Sequence, residues 1–256
     1  MLKALLARLN QGHHTAVGIP EALPDRTLGR PRFQPARCAE GCSQCARVCP
    51  TAAIEPGKTL DLGRCLFCGE CARVCPQGAI RFTRSPEMAV RQRSDLVLTG
   101  PELQLAKALD EQALRLFGRS LRLRQVSAAG CNACEADVNV LGTLTFDLAR
   151  FGIDFVASPR HADGILVTGP VSQNMREALL KTWQAVPAPR LVVAVGACAI
   201  SGGPYFDHEQ TCGGTDGLLP VDLYVPGCPP NPWTILEGLL RLLGACGDTR
   251  TSSWVG

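Results

Sequence analysis

The chain has 256 residues, a formal net charge of +3 and a mean hydropathy of +0.08, enough for one large domain or two modest ones with a real core. Its 14 cysteines are dense for this length. No run reaches the roughly 18 apolar residues of a membrane-spanning helix, and the opening MLKALLARLNQGHHTA is too short, and interrupted by Arg8, to be a secretory signal. A secreted disulfide scaffold is therefore not the expectation. The expectation is a cytoplasmic protein whose clustered thiols hold metal.

The small net charge conceals an asymmetry. Residues 1–37 carry +4, 38–75 are neutral, 76–125 carry +4 and 126–256 carry −5. The arginines are not interleaved with aromatic residues, which argues against nucleic acid. Basic flanks of this kind fit either compensation of bound anionic clusters or an acidic partner.

Residues 1–31 read as an N-terminal extension. Within it MLKALLARL is expected as a peripheral amphipathic element, a candidate docking helix against a membrane subunit, although so short a helix is marginal alone.

Residues 32–90 contain a repeat. CARVCPTAAI at 45–54 recurs as CARVCPQGAI at 71–80, an offset of 26 residues. In full the two copies place Cys38, Cys42, Cys45 and Cys49 before Pro50, and Cys65, Cys68, Cys71 and Cys75 before Pro76. The second copy matches the bacterial ferredoxin run C-x-x-C-x-x-C-x-x-x-C-P, whose last cysteine ligates the other cluster. Each copy presents three sulfurs to one cubane, and its proline turns the fourth sulfur toward the other. By that rule Cys38, Cys42, Cys45 and Cys75 hold one 4Fe–4S cluster, and Cys49, Cys65, Cys68 and Cys71 hold a second. Zinc is the alternative, but it favours two well-separated C-x-x-C knuckles over four cysteines packed into one short run. The first copy departs in having three residues between Cys38 and Cys42, a space Gly41 can absorb in a looser turn. The domain is expected to be a small α+β ferredoxin-like unit.

Residues 91–125 read as a helical linker, carried by PELQLAKALDEQALRLFGRS. From 126 to 256 the pattern is that of an α/β domain. The apolar runs IDFVA, GILVTG, LVVAVG and DLYVPG alternate with VNVLGTLTFDLARFG, SQNMREALLKTWQAV and PWTILEGLLRLLG, as in a doubly wound parallel sheet. Cys131, Cys198 and Cys228 end apolar runs, and Cys134 lies one turn beyond Cys131. Ligands of such sheets bind at the carboxyl ends of the strands, so these four thiols form a candidate metal pocket, with Gly130, Gly196 and Gly227 allowing close approach. Cys212 and Cys246 read as packing residues. Glu135 and Asp137 suit a helix N-terminus and, less simply, proton coupling. Arg160 and His161 belong either near the cluster or to a solvated loop. No phosphate-loop lysine and no G-x-G-x-x-G are present.

CNACEADVNVLG, RFGIDFVASPRHADGILVTGPV, VGACAISGG and PVDLYVPGCPPNPWTIL together resemble the cluster-bearing small subunit of energy-converting, membrane-associated NiFe hydrogenases. The 20 kDa subunit of respiratory complex I is the close cousin. The resemblance covers nearly all of residues 119–245. It implies a flavodoxin-like fold and one 4Fe–4S cluster on Cys131, Cys134, Cys198 and Cys228, giving three clusters in all. The separated pair Cys131 and Cys134 is the hydrogenase arrangement, since the complex I branch usually has adjacent cysteines. The function so implied is electron transfer from an upstream redox donor protein to a hydrogenase-type large subunit, on the inner face of the membrane through partner subunits. A quinone acceptor, a related complex without NiFe, and a free-standing carrier are the alternatives.

Overall fold

The computed structural model describes residues 2, 3, 6, 9, 15, 16, 18–117 and 120–245. The docking helix expected in MLKALLARL falls largely outside the described residues, and Cys246 entirely so.

Strand β1 (Pro31–Phe33) leads into the first repeat copy, where helix α1 (Gln44–Arg47) carries Cys45 and strand β2 (Ile54–Glu55) starts at the repeat's isoleucine. After β3 (Thr59–Asp61), the second copy does the same with helix α2 (Glu70–Val74), carrying Cys71, and strand β4 (Ile80–Phe82). Proline stops each helix because it lacks the N–H and clashes with the preceding turn. β1 pairs antiparallel with β4, setting buried Phe33 opposite Ile80 and sending Arg32 and Arg81 outward, directly opposite one another. β2, β3 and β5 (Val97–Leu98) form a second antiparallel sheet with Leu60 between Ile54 and Leu98.

Where a helical connector was expected, only α3 (Glu111–Phe117) is helical. Leu103, Ala106 and Leu109 are buried instead, and the backbone N–H groups of Ala106 and Leu109 donate to Ala89 and Leu242. Tertiary burial outweighs the helical propensity of this stretch.

The second half is built from β6 (Leu121–Ser127), α4 (Ala133–Val140), β7 (Ile153–Phe155), β8 (Gly164–Thr168), α5 (Gln173–Ala185), β9 (Leu191–Val195), α6 (Ala197–Ser201), β10 (Leu223–Val225) and α7 (Pro232–Leu242). The five strands are all parallel and lie in the order β7-β6-β8-β9-β10. Counted along the chain this is 2-1-3-4-5, the flavodoxin-like order, with its switch point between β6 and β8. Every residue of β8 and β9 is buried. Ser172 caps α5 by accepting from Met175 N–H; Asn231 caps α7 by accepting from Trp233 N–H, with Pro232 at the first helical position. VNVLGTLTFDLARFG, expected as a helix, holds only the end of α4 and a 3-10 turn at Leu148–Phe151. Gly142 and two threonines interrupt it.

Alternate residues of the strands face opposite layers. Leu166, Val193, Leu223 and Val225 pack toward α4 and α7, with Val138 and Ile235. Ile165, Val167 and Val192 face α5 through Leu179. On that second face, Ala194 and Tyr224 pack with Phe33, Leu60 and Ile80 of the N-terminal module. The module thus covers the β9–β10 end of this face together with α6, through Ala199 and Ile200. Residues 88–91 close the β10 edge through an antiparallel bridge of Val90 with Tyr224 and a bond from Arg91 Nε to Asp222 O. No helix among the described residues is long and apolar enough to cross a membrane.

Candidate metal centres

The cysteines of the repeat fall into two groups that cross the copies. Cys49 lines one apolar cavity with Cys65, Cys68 and Cys71, beside Leu60 and Phe82. Burial pushes the Cys65 thiol up to about 12, and the negative charges of Cys71, Cys49 and Cys68 push the same way. Cys71 is raised to about 11, first by burial and then by Cys68 and Cys49. In the other group Cys45 is raised by burial and by Cys38 and Cys75. Cys42 sits half-buried just after Gly41, which has φ +71°. That left-handed turn accommodates the additional residue of the first copy.

Backbone amides serve both groups in the same way. Ala53 N–H donates to Cys49 Sγ at 3.3 Å and Ala79 N–H to Cys75 Sγ at 3.2 Å, at equivalent repeat positions. Phe67 N–H donates to Cys65 Sγ at 3.3 Å. Such bonds favour the thiolate. Cys65 and Cys71, raised by burial and by the neighbouring sulfurs, ionise together only where positive charge binds among them. This donor set, with amides aimed at sulfur, fits a multi-iron cluster.

The third group stands at the carboxyl edge of the parallel sheet. β6 leads to Cys131 and, in the first turn of α4, Cys134. β9 leads to Cys198 in α6, and β10 to Cys228. The loops are tightly kinked: Ala129 and Asn132 have φ near +72° and +71°. A Cβ on Gly196 would stand 2.5 Å from Cys134 Sγ, and one on Gly203 would stand 2.8 Å from Cys198 Sγ. Here the absent side chains make room for sulfur. Cys134 is strongly raised by burial, then by Cys198, Glu135, Cys228 and Cys131. Cys198 is raised to about 11 by burial, then by Cys228 and Cys131. Cys131 and Cys228 are exposed whereas Cys134 and Cys198 are half-buried, so the group opens outward.

Glu135 lies behind this group, buried, and accepts from Ser127 Oγ at 2.6 Å and Thr168 Oγ1 at 2.7 Å. Burial pushes its carboxyl up, but the two hydroxyls outweigh it and the net shift is downward. The helix-terminus reading therefore missed its tie to β6 and β8; two hydroxyl residues ending apolar runs were the available signal. Asp137 is raised by burial. Arg160 and His161 fall in a 3-10 turn before β8, at the opposite edge of the sheet from the cysteines. Cys212 packs with Val171 and its neighbours, apart from all three thiol groups.

The second and third groups are neighbours. Phe67, inside the Cys65–Cys68 loop, shares a cavity of about 210 Å³ with Gly227, Pro229 and Asn231 around Cys228, and with Asp137.

Residues 131–242 match the family described as NADH ubiquinone oxidoreductase, 20 Kd subunit, and residues 58–81 match the 4Fe-4S binding domain. Formate hydrogenlyase subunit 7 of Escherichia coli (strain K12) is 44% identical over 131 residues, 51% of this chain and 51% of that one. The chain thus spans about half the length of that relative. The probable membrane-bound hydrogenase subunit mbhJ of Pyrococcus furiosus is 39% identical over 132 residues, 52% of this chain and 79% of that one. An NADH-quinone oxidoreductase subunit of Clostridium beijerinckii is 42% identical over 114 residues, 44% of this chain and 68% of that one. By fold order, by the matched segment and by the coverage of these relatives, the chain belongs to the NADH ubiquinone oxidoreductase 20 kDa subunit family, with a 4Fe–4S binding domain placed ahead of the family fold.

Proposed function

We propose that the chain carries three 4Fe–4S clusters and relays electrons between an upstream donor and a NiFe hydrogenase large subunit that interconverts protons and dihydrogen. The observation that carries this reading is the third cysteine group. Cys131, Cys134, Cys198 and Cys228 all follow the carboxyl ends of parallel strands, and the loop of Cys228 shares a cavity with Phe67 of the Cys65–Cys68 loop.

Bound 4Fe–4S clusters supply one-electron carriers whose potentials are set by surroundings. The protein's own residues do the rest. Cys38, Cys42, Cys45 and Cys75 would hold the outer cluster, Cys49, Cys65, Cys68 and Cys71 the middle one, and Cys131, Cys134, Cys198 and Cys228 the last. Leu60 and Phe82 supply an apolar wall to the middle site. Ala53, Phe67 and Ala79 amides offset sulfur charge. Because the donor module shares a core with the acceptor domain, no diffusion step separates them.

The separated Cys131 and Cys134 favour the hydrogenase branch, and the exposed Cys131 and Cys228 offer an edge for a large subunit to cover. The test is to purify the native complex, assay hydrogen evolution from a strong artificial reductant and measure nickel. Nickel with hydrogen evolution supports the reading. In the same complex Cys228→Ser should abolish delivery to the partner while the two ferredoxin-type sites stay reducible. A stable complex lacking nickel, with robust quinone reductase activity, would replace hydrogen with a quinone.

A further inference from the structure

We propose that the exposed arginines around the Cys38 group form the docking surface for an acidic electron-donor protein, an inference that rests on the relay reading above. The starting observation is a pair of like charges that the fold sets face to face. In the β1–β4 ribbon, Phe33 and Ile80 turn inward and the two-residue period of the strands sends Arg32 and Arg81 outward as direct cross-strand neighbours. Like charges so placed are destabilising. Nothing among the described residues neutralises them, for neither forms an ion pair.

The same holds for Arg37, next to Cys38, and for Arg47, on α1 between Cys45 and Cys49. Both are exposed and neither has an acidic partner among the described residues. The backbone ties Arg37 to the β1–β4 ribbon that carries Arg32 and Arg81. Gln34 N–H donates to Ala79 O, Arg37 N–H to Gln34 O and Cys38 N–H to Pro35 O. The Arg81 guanidinium folds back over Gly78, 3.1 Å from where a Cβ would stand, just beyond Cys75 and Pro76.

The acids of the module are engaged elsewhere. Glu55 pairs with Lys58, Glu70 with Arg73, Asp25 with Arg84, and Asp61 with Arg93. Between Cys38 and Cys75 only Glu40 is left without an ion pair among the described residues. The result is a cationic patch beside Cys38 with no acid but Glu40 to offset it. Val48, which follows Arg47 and is 39% exposed, adds an apolar spot at the rim of the Cys65 group's cavity. A basic patch beside an apolar spot suits a transient protein interface, and the absence of aromatic side chains from the patch gives nucleic acid bases nothing to stack on.

The cluster-loaded full chain can be tested against oxidised plant-type 2Fe–2S ferredoxin, an acidic carrier, by measuring binding as a function of salt. Arg32→Gln/Arg81→Gln and Arg37→Gln/Arg47→Gln should each weaken binding, and the quadruple variant should weaken it by about tenfold or more at low ionic strength and flatten its salt dependence. Arg→Lys at the four positions should restore most of the binding. Iron content and reduction by photoreduced deazaflavin, an uncharged donor, should not change. Unchanged ferredoxin affinity in the quadruple variant would overturn the proposal. So would an unchanged affinity accompanied by loss of co-sedimentation with phosphatidylserine vesicles, or by loss of self-association. If deazaflavin reduced no cluster even in the unaltered chain, the relay reading itself would fail. If it reduced them all and the arginines had no effect on ferredoxin, only the docking surface would.

Discussion

At Gly196 the chain turns with φ +91° from the end of β9 into α6, and the space a Cβ would occupy is held by Cys134 Sγ. Gly196→Ala forces a side chain into a positive-φ extended conformation that is essentially glycine-only, at about 1–3 kcal/mol, and adds a contact that sulfur cannot relieve without leaving its place. The third cluster should fail to load, lowering iron by about four atoms per chain, while the ferredoxin-type signals persist. Cys212→Ser, by contrast, should leave every signal intact. Cys49 gives the sharper residue-scale test because sequence neighbourhood and spatial neighbourhood disagree there. It belongs to the first repeat copy yet lines the cavity of Cys65, Cys68 and Cys71. Electron paramagnetic resonance of Cys49→Ser should show the same damaged signal as Cys68→Ser. Loss of the Cys42→Ser signal instead would reverse the pairing. The neighbourhood of Cys49 with Cys65, Cys68 and Cys71 was legible in spacing because the repeat imposes it. The hydroxyl pair behind Glu135 was not, since Ser127 and Thr168 meet only when β6 and β8 pair in register.

Elements follow the same division. β7 to β10, α5 and α7 could be read from apolar runs and amphipathic periods, because each is bounded by turn residues and buried by its own sheet. The connector could not, because Ala106 and Leu109 take backbone partners from distant segments. Helix α7 carries a further consequence. Glu237 is buried on it beside Arg241, and Arg241 also reaches Glu87 of the N-terminal half at 2.9 Å. Burial pushes the Glu237 carboxyl up to about 7; Arg241 and, farther off, Arg30 pull it down, while Glu87 adds to the rise. A carboxyl raised on folding favours the protonated native state. Its contribution to stability is therefore full below about 4.5, the ordinary value, and is lost as pH rises through about 7. Urea midpoints followed by tryptophan fluorescence should decline across that window, and Glu237→Gln should flatten the decline. A decline of equal slope in the variant would assign it to other groups.

For the whole molecule, the two halves behave as one folded body. Ile200 of α6 is buried among residues of the N-terminal module, and Ser201 Oγ donates to Gly63 O at 2.8 Å. A Cβ on Gly63 would meet Ile200 Cγ2 at 2.8 Å, so the two surfaces are in tight contact. Ile200→Ala should cost about 2–5 kcal/mol and lower the unfolding midpoint of both halves together, read by cluster absorbance for one and tryptophan fluorescence for the other. Separate transitions would show the modules to be independent. Sequence reading anticipated two modules joined by a linker; the docking that buries Ala194, Tyr224 and Ile200 between them left no local pattern, since each of these residues also reads as an ordinary strand or helix position. On the ligand sets proposed above, the fold carries three cluster sites, two in the N-terminal module and one at the open sheet edge. Iron and acid-labile sulfide analysis of anaerobically purified chain tests that claim most directly. Three 4Fe–4S sites predict about twelve irons and as many sulfides per folded chain. Reproducible loading near eight, with the α/β domain folded, or stoichiometric zinc in place of iron, would contradict it.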